Sequence, residues 1–145
     1  MNAEWQTQDD QPNPVVYGLH KEPPLKLSLE TRNLSDIIVV HCQGRIVYRD
    51  EAAALSRLVG EFLKSGSKVV LDLNGVRSMD SAGVGELASL QNLAQANHSA
   101  LKLAGANSIV SELLELTNLD QVLDLHPSLA EALESFHEDP VYTDC

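Results

Sequence analysis

The chain has 145 residues, 43% hydrophobic and 21% charged, which is the size and composition of one globular domain and leaves no room for a second of ordinary size. No apolar run approaches the ~20 residues that span a bilayer, and the acidic opening Met1–Asp10 lacks the basic and apolar regions of a secretory signal, so a cytoplasmic location is expected. Ten Lys and Arg against twenty-one Asp and Glu give a formal net charge of −11, which repels a nucleic-acid backbone and an anionic membrane surface, so no direct nucleic-acid partner is expected.

Residues 1–24 hold four acids, one base and Pro12, Pro14, Pro23 and Pro24, with Val15, Val16 and Tyr17 as a short apolar island. Such a composition predicts a disordered or loosely docked lead-in. Leu25, Leu27 and Leu29 then alternate with Lys26, Ser28 and Glu30, the pattern of a half-buried strand. A turn-rich stretch, Asn33–Asp36, and the β-branched run Ile37–Val40, continuing through His41 and Cys42 to Gly44, complete an expected hairpin. Asp50 is placed to cap a helix with Ala54, Leu55, Leu58, Val59, Phe62 and Leu63 on one face and Gly66 at its end. Lys68–Leu73 is nearly continuous in apolar residues, as a strand buried on both faces is. A loop at Asn74–Asp80 leads to a helix over about Ala82–Ala96, with Val84, Leu87, Ala88, Leu90 and Ala94 available to the core.

Ala100–Ala104 is the next expected strand, and Ser108 caps a helix carrying Ile109, Val110, Leu113 and Leu114, with Asn118 suited to a left-handed end. Val122–Leu125 gives the last strand, and Ser128 with Glu131 reads as a capping box opening a helix with Leu129, Ala132, Leu133 and Phe136 inward. Repeated strand-helix units with short loops imply parallel neighbours. The expected architecture is therefore one α/β domain over residues 25–137, a mixed, mostly parallel sheet of about five strands with four helices and an antiparallel opening strand. Residues 138–145, with three acids, form an acidic tail.

Cys42 and Cys145 have neither metal-ligand nor disulfide spacing, and Cys42, inside an apolar run, reads as a small buried hydrophobe. None of the five His has a spaced Asp or Glu partner that would mark a base. A nucleophile elbow needs Gly two residues before its serine, where Ser81 has Met79. Gly83-Val84-Gly85 lacks the P-loop Lys and the third Gly of a dinucleotide fingerprint, and no His-Glu-x-x-His, Cys pair or dense carboxylate loop marks a metal. No catalytic residue, metal or cofactor is expected.

Met79-Asp80-Ser81-Ala82-Gly83-Val84-Gly85-Glu86-Leu87 lies between a buried strand and the following helix, where open α/β sheets place functional loops. A serine at a helix start offers a hydroxyl where the macrodipole tolerates the charge of about −1.5 to −2 that a phosphate adds. The competing reading is that Asp80 or Ser81 only caps the helix and that Gly83 and Gly85 only permit tight packing on the strand.

Val70-Leu71-Asp72-Leu73 followed by Met79-Asp80-Ser81-Ala82-Gly83-Val84-Gly85 resembles the signature of the STAS domain of anti-sigma factor antagonists: an Asp-Ser or Asp-Thr pair, a small residue, Gly, an aliphatic residue and a second small residue. Leu113-Leu114-Glu115-Leu116-Thr117-Asn118-Leu119-Asp120 and the element order over Leu25–Phe136 are similar as well. The resemblance implies a single STAS-like domain, not an enzyme, that binds a serine-kinase anti-sigma factor. It further implies phosphorylation of Ser81 by that kinase, which switches binding off, and reversal by a metal-dependent serine phosphatase. The implied partner-binding residues are Asp80, Ser81, Ala82, Gly83 and Gly85, with Arg45 and Tyr48 from Gly44-Arg45-Ile46-Val47-Tyr48-Arg49-Asp50. Within that segment Gly44-Arg45-Ile46 fits the family's pattern, while Tyr48 and Arg49 replace small polar residues. Asp80 is expected to orient the Ser81 hydroxyl or to position a kinase-bound nucleotide. The alternative on the same fold is a non-phosphorylated STAS scaffold, or a subunit of a stress-signalling or lipid-transport complex.

Overall fold

The computed structural model describes residues 27–47 and 49–138. Strands β1 (Leu27–Leu34) and β2 (Ile37–Ile46) form the expected antiparallel hairpin, in register from Leu27 opposite Gly44 to Leu34 opposite Ile37. The turn is only Ser35 and Asp36, with Ser35 at φ 60°. Asn33 and Leu34 are therefore strand residues, because a left-handed two-residue turn suits the strand twist and lets Leu34 reach the core.

Helix α1 (Arg49–Lys64) starts before Asp50, so Asp50 and Glu51 occupy its first turn, where free N–H groups favour acids, and Asp50 is not the cap. Gly66, at φ 79°, sends its N–H to the Leu63 carbonyl at 3.0 Å and ends the helix as expected. Strand β3 (Lys68–Met79) runs straight through the stretch expected to be a loop. Its tail is held by β2, a parallel neighbour as far as Ile46 opposite Met79, with register shifts between His41 and Gln43 and between Gly44 and Arg45.

Helix α2 (Ser81–Ala96) and strand β4 (Ala100–Ala104) follow as expected. Helix α3 (Ser108–Leu116) is capped by Asn107 in place of Ser108. An amide can serve both sides at once: Asn107 Oδ1 accepts the Val110 N–H at 2.8 Å while Nδ2 donates to the Val76 carbonyl at 3.1 Å. Asn118 is left-handed at φ 62° and leads into a short 3-10 turn, Leu119–Gln121. Val122 is 55% exposed, and strand β5 (Asp124–His126) begins two residues later than expected. Ser128 Oγ accepts the Glu131 N–H at 3.1 Å at the head of α4 (Leu129–Glu138), the forward half of the expected capping box, and the Glu131 carboxylate turns back to the Ser128 hydroxyl at 3.5 Å.

The five strands lie in the order β1-β2-β3-β4-β5, antiparallel at the first pair and parallel thereafter. On one face Leu55 and Leu63 of α1, Leu87 of α2 and Leu114 of α3 pack against Leu71, Leu73 and Leu103. On the other, Ala132 and Phe136 of α4 cover Ile37, Val39 and Val70. Burying each such aliphatic side chain contributes about 1.5–3 kcal/mol. Lys102, 5% exposed, is tolerated under α4 because its Nζ reaches Asp124 at 2.8 Å and lies 4.7 Å from the centroid of the Phe136 ring. No helix among the described residues is long and apolar enough to cross a membrane. The expected lead-in, Leu25, Tyr48, Cys145 and all but the first residue of the acidic tail lie outside the described residues.

Candidate functional site

The end of β3 passes directly into α2 through Asp80, whose backbone is extended at φ −117° and ψ −170°. Its N–H donates to the Ile46 carbonyl at 3.2 Å, which ties the junction to the end of β2. Its Oδ1 accepts the N–H groups of Ala82 at 3.0 Å and Gly83 at 3.3 Å. Asp80 is thus the N-cap, and its carboxylate is engaged by backbone amides where the sequence suggested a hold on the Ser81 hydroxyl. Ser81 is the first residue of α2 and is exposed.

The two glycines of the motif differ. A Cβ on Gly83 would lie 2.6 Å from Met79 Cγ and 2.7 Å from the Ile46 carbonyl oxygen. Gly83 is buried, and the close approach it permits is between α2 and the chain's own β2. Gly85 is exposed, and a Cβ there would meet nothing within 4 Å. Ala82, just before them, is half-buried.

Arg45 is exposed one register step before the Ile46–Met79 pair, opposite Ser78. It follows Gly44, whose φ of 117° is left-handed territory, at the register shift where β3 carries one extra residue, Arg77. Beyond Ile46 the chain is fixed by Val47, whose N–H donates to Oε1 of the buried Glu51 at 3.2 Å. Arg45, Asp80, Ser81, Ala82 and Gly85 therefore share one end of the β2–β3 pair, with the exposed Arg77 nearby on β3. Of the residues singled out in the sequence, Gly83 sits beneath this surface and Tyr48 lies outside the described residues.

The sequence shows no acid spaced to serve a His, but the described residues hold two His–Asp pairs: His126 Nε2 lies 2.9 Å from Asp124 Oδ1, and the second joins β2 to β3. His41 Nδ1 and Asp72 Oδ2 are 2.6 Å apart. The two are 31 residues apart in the chain but directly opposite on β2 and β3. Asp72 Oδ1 also accepts the N–H of Asn74 at 3.0 Å and its side-chain amide at 2.6 Å. Burial raises the Asp72 carboxyl, but the bonds from Asn74 and then His41 outweigh it and leave the group below its ordinary value. The pair lines an open cleft of about 300 Å³ on the sheet face, with Ser28, Glu30 and Arg32 of β1 along its other wall. Cys42, on the adjacent position, is buried as expected, and burial, followed by the charge of Asp72, pushes its thiol up to about 12.

A STAS domain is matched over residues 28–132. A Thermotoga maritima protein named "Putative anti-sigma factor antagonist" is 32% identical over 75 residues, 51% of this chain and 66% of that protein, just under two thirds of its length. A Thermotoga neapolitana homolog matches to the same extent. Among solved structures, an anti-sigma factor antagonist from Mycobacterium paratuberculosis superposes with a TM-score of 0.68 at 23% identity, over 75% of this chain and 92% of that one. The anti-sigma factor antagonist SpoIIAA in its unphosphorylated form gives a TM-score of 0.65 at 13% identity, over 77% and 98%. At these identities the likeness is one of fold.

Proposed function

The chain belongs to the STAS domain family, and from that premise we propose that it is an anti-sigma factor antagonist, a cytoplasmic binding protein whose partner is a serine-kinase anti-sigma factor. The domain of this reading spans residues 25–137, between an N-terminal segment and an acidic tail. The names of the Thermotoga relatives support the class of function. The observation that carries the switch is the division of labour at the helix start: Asp80 holds the cap, and the adjacent Ser81 is exposed.

In this reading the partner docks on Ser81, Ala82 and Gly85 with Asp80 and Arg45 around them, on a floor that Gly83 keeps close to β2, and Tyr48 joins from the neighbouring segment. Its kinase activity moves the γ-phosphoryl group of ATP to the Ser81 oxygen, with loss of the hydroxyl proton and release of ADP. The phosphate lies at the positive end of α2, so the domain keeps its fold. The docked partner meets a new, strongly hydrated charge of about −1.5 to −2 beside Asp80 and is expelled. A metal-dependent serine phosphatase restores the hydroxyl.

The test is capture of wild-type chain, Ser81→Ala and Ser81→Glu from native lysate, with mass spectrometry of the bound proteins and of the Ser81 peptide. The expected result is a serine-kinase anti-sigma factor held by wild type and Ser81→Ala, lost by Ser81→Glu, with phosphate on part of the wild-type Ser81. Equal recovery by all three with unmodified Ser81 would retire the switch in favour of a STAS scaffold.

A further inference from the structure

β1 is one edge of the sheet, and among the described residues its outer side has no neighbouring strand. The hairpin turn determines which of its backbone groups are free. Leu34 and Ile37 flank a two-residue turn and form a hydrogen-bonded pair, so Leu34, Arg32, Glu30 and Ser28 direct their N–H and C=O groups to β2. Leu27, Leu29, Thr31 and Asn33 direct theirs outward. The register of β1 against β2 has no shift, and the strand contains no proline, so neither usual device blunts this eight-residue edge.

Its side chains limit what can pair with it. Glu30 and Arg32 are exposed and share one face of the strand. A second copy added antiparallel, about a two-fold axis normal to the sheet, sets residues of the same face opposite each other and joins the free odd-numbered groups. Centred on Glu30, this places Glu30 against itself. Centred on Arg32, it places Arg32 against itself. In both cases like charges meet in a non-hydrogen-bonded pair, where Cα atoms are only about 4.5 Å apart. Centred on Thr31, the pairing sets Glu30 opposite Arg32 twice, Thr31 opposite Thr31 and Leu29 opposite Asn33. Among the described residues only this register sets opposite charges against each other, and its hydrogen-bonded pairs fall on the residues whose backbone groups point outward.

We propose that the chain self-associates through β1, two copies pairing antiparallel about Thr31 so that their five-stranded sheets become one. The occupant of the edge is a second copy of this chain, selected by the self-complementary order of Glu30 and Arg32. The net charge of −11 on each copy opposes association over long range, so the contact forms best where salt screens beyond ~8 Å, at about 0.15 M.

Sedimentation equilibrium of the full chain at that ionic strength, over a rising concentration series, is expected to approach twice the monomer mass. Glu30→Arg or Arg32→Glu alone turns both ion pairs into repulsions and weakens the dimer about tenfold or more. The double variant Glu30→Arg with Arg32→Glu re-forms both pairs and restores association. In hydrogen exchange, the amides of Leu29, Thr31 and Asn33 slow as concentration rises. A monomer at every concentration overturns the proposal, as does a dimer indifferent to the single reversals. Protection of those amides that does not change with concentration also overturns it, since the chain's own remaining residues would then cover the edge.

Discussion

Gly83 and Gly85 stand two residues apart in one motif and face opposite demands. The missing Cβ of Gly83 is what lets α2 approach the Ile46 carbonyl, so Gly83→Ala forces backbone apart at the Asp80 junction. Its expected cost is about 1–3 kcal/mol, the range for overpacking a filled site. Gly85→Ala meets open space and gains helix propensity, stabilising by up to about 1 kcal/mol. Paired urea unfolding curves check both signs. The cap gives a second contrast: Asp80→Ala is expected to lose about 0.5–2 kcal/mol, and Ser81→Ala no more than about 0.5 kcal/mol. A Ser81→Ala loss as large as that of Asp80→Ala would return the capping role to the serine. The sequence carried the motif itself in plain view. It left Asp80 and Ser81 as equal candidates for the cap, because both side chains accept hydrogen bonds and only the extended backbone at Asp80 decides between them.

Among the elements, β3 is where sequence and structure part, and the reason is its neighbour. Val69–Leu73 is apolar enough to announce a buried strand, whereas Asn74, Gly75, Arg77 and Ser78 carry turn-like chemistry. The stretch remains extended because β2 pairs with Gly75, Val76, Ser78 and Met79 after β4 has stopped at Ala104 opposite Asp72, with Asn74 and Arg77 at the register shifts. That tail carries Asp80 and Ser81 to their place, so its pairing matters to the site. A Cβ on Gly75 would come within 2.7 Å of Gln43 Cγ and 2.8 Å of the Cys42 carbonyl oxygen. Gly75→Val is therefore expected to loosen the upper half of the β2–β3 pair, with faster amide exchange over Val76–Met79 and little change over Val69–Leu71. Uniform loss of protection along β3 would mean that the two halves form one cooperative unit. The His41–Asp72 pair was hidden for the same reason, since it depends on a register linking distant stretches, whereas α1, α2 and α4 declared themselves through local periodicity.

For the molecule as a whole, acid acts through two opposed effects. Between pH 7 and the sequence pI near 4.7 the net charge falls from −11 towards zero, which relieves self-repulsion and favours the compact state. Further acid reaches the paired carboxylates. Asp72 has its carboxyl below the ordinary 3.8 against the pull of burial, through Asn74 and His41. Asp36 is lowered chiefly by its hydrogen bond from Lys68 at the hairpin turn. A carboxyl lowered on folding binds its proton more readily in the unfolded chain, so its stabilising contribution is complete above 3.8 and disappears as pH drops through the folded value. Stability is thus expected to rise on mild acidification, pass a maximum between neutrality and about pH 4, and fall below it. Asp72→Asn removes the tie that joins two central strands, and should flatten the acid limb while lowering stability at neutral pH. Urea unfolding of both proteins from about pH 2 to pH 7 measures this directly. Identical acid limbs would place the acid sensitivity in other carboxylates and leave Asp72 as a contact that titrates alike in the folded and unfolded chains.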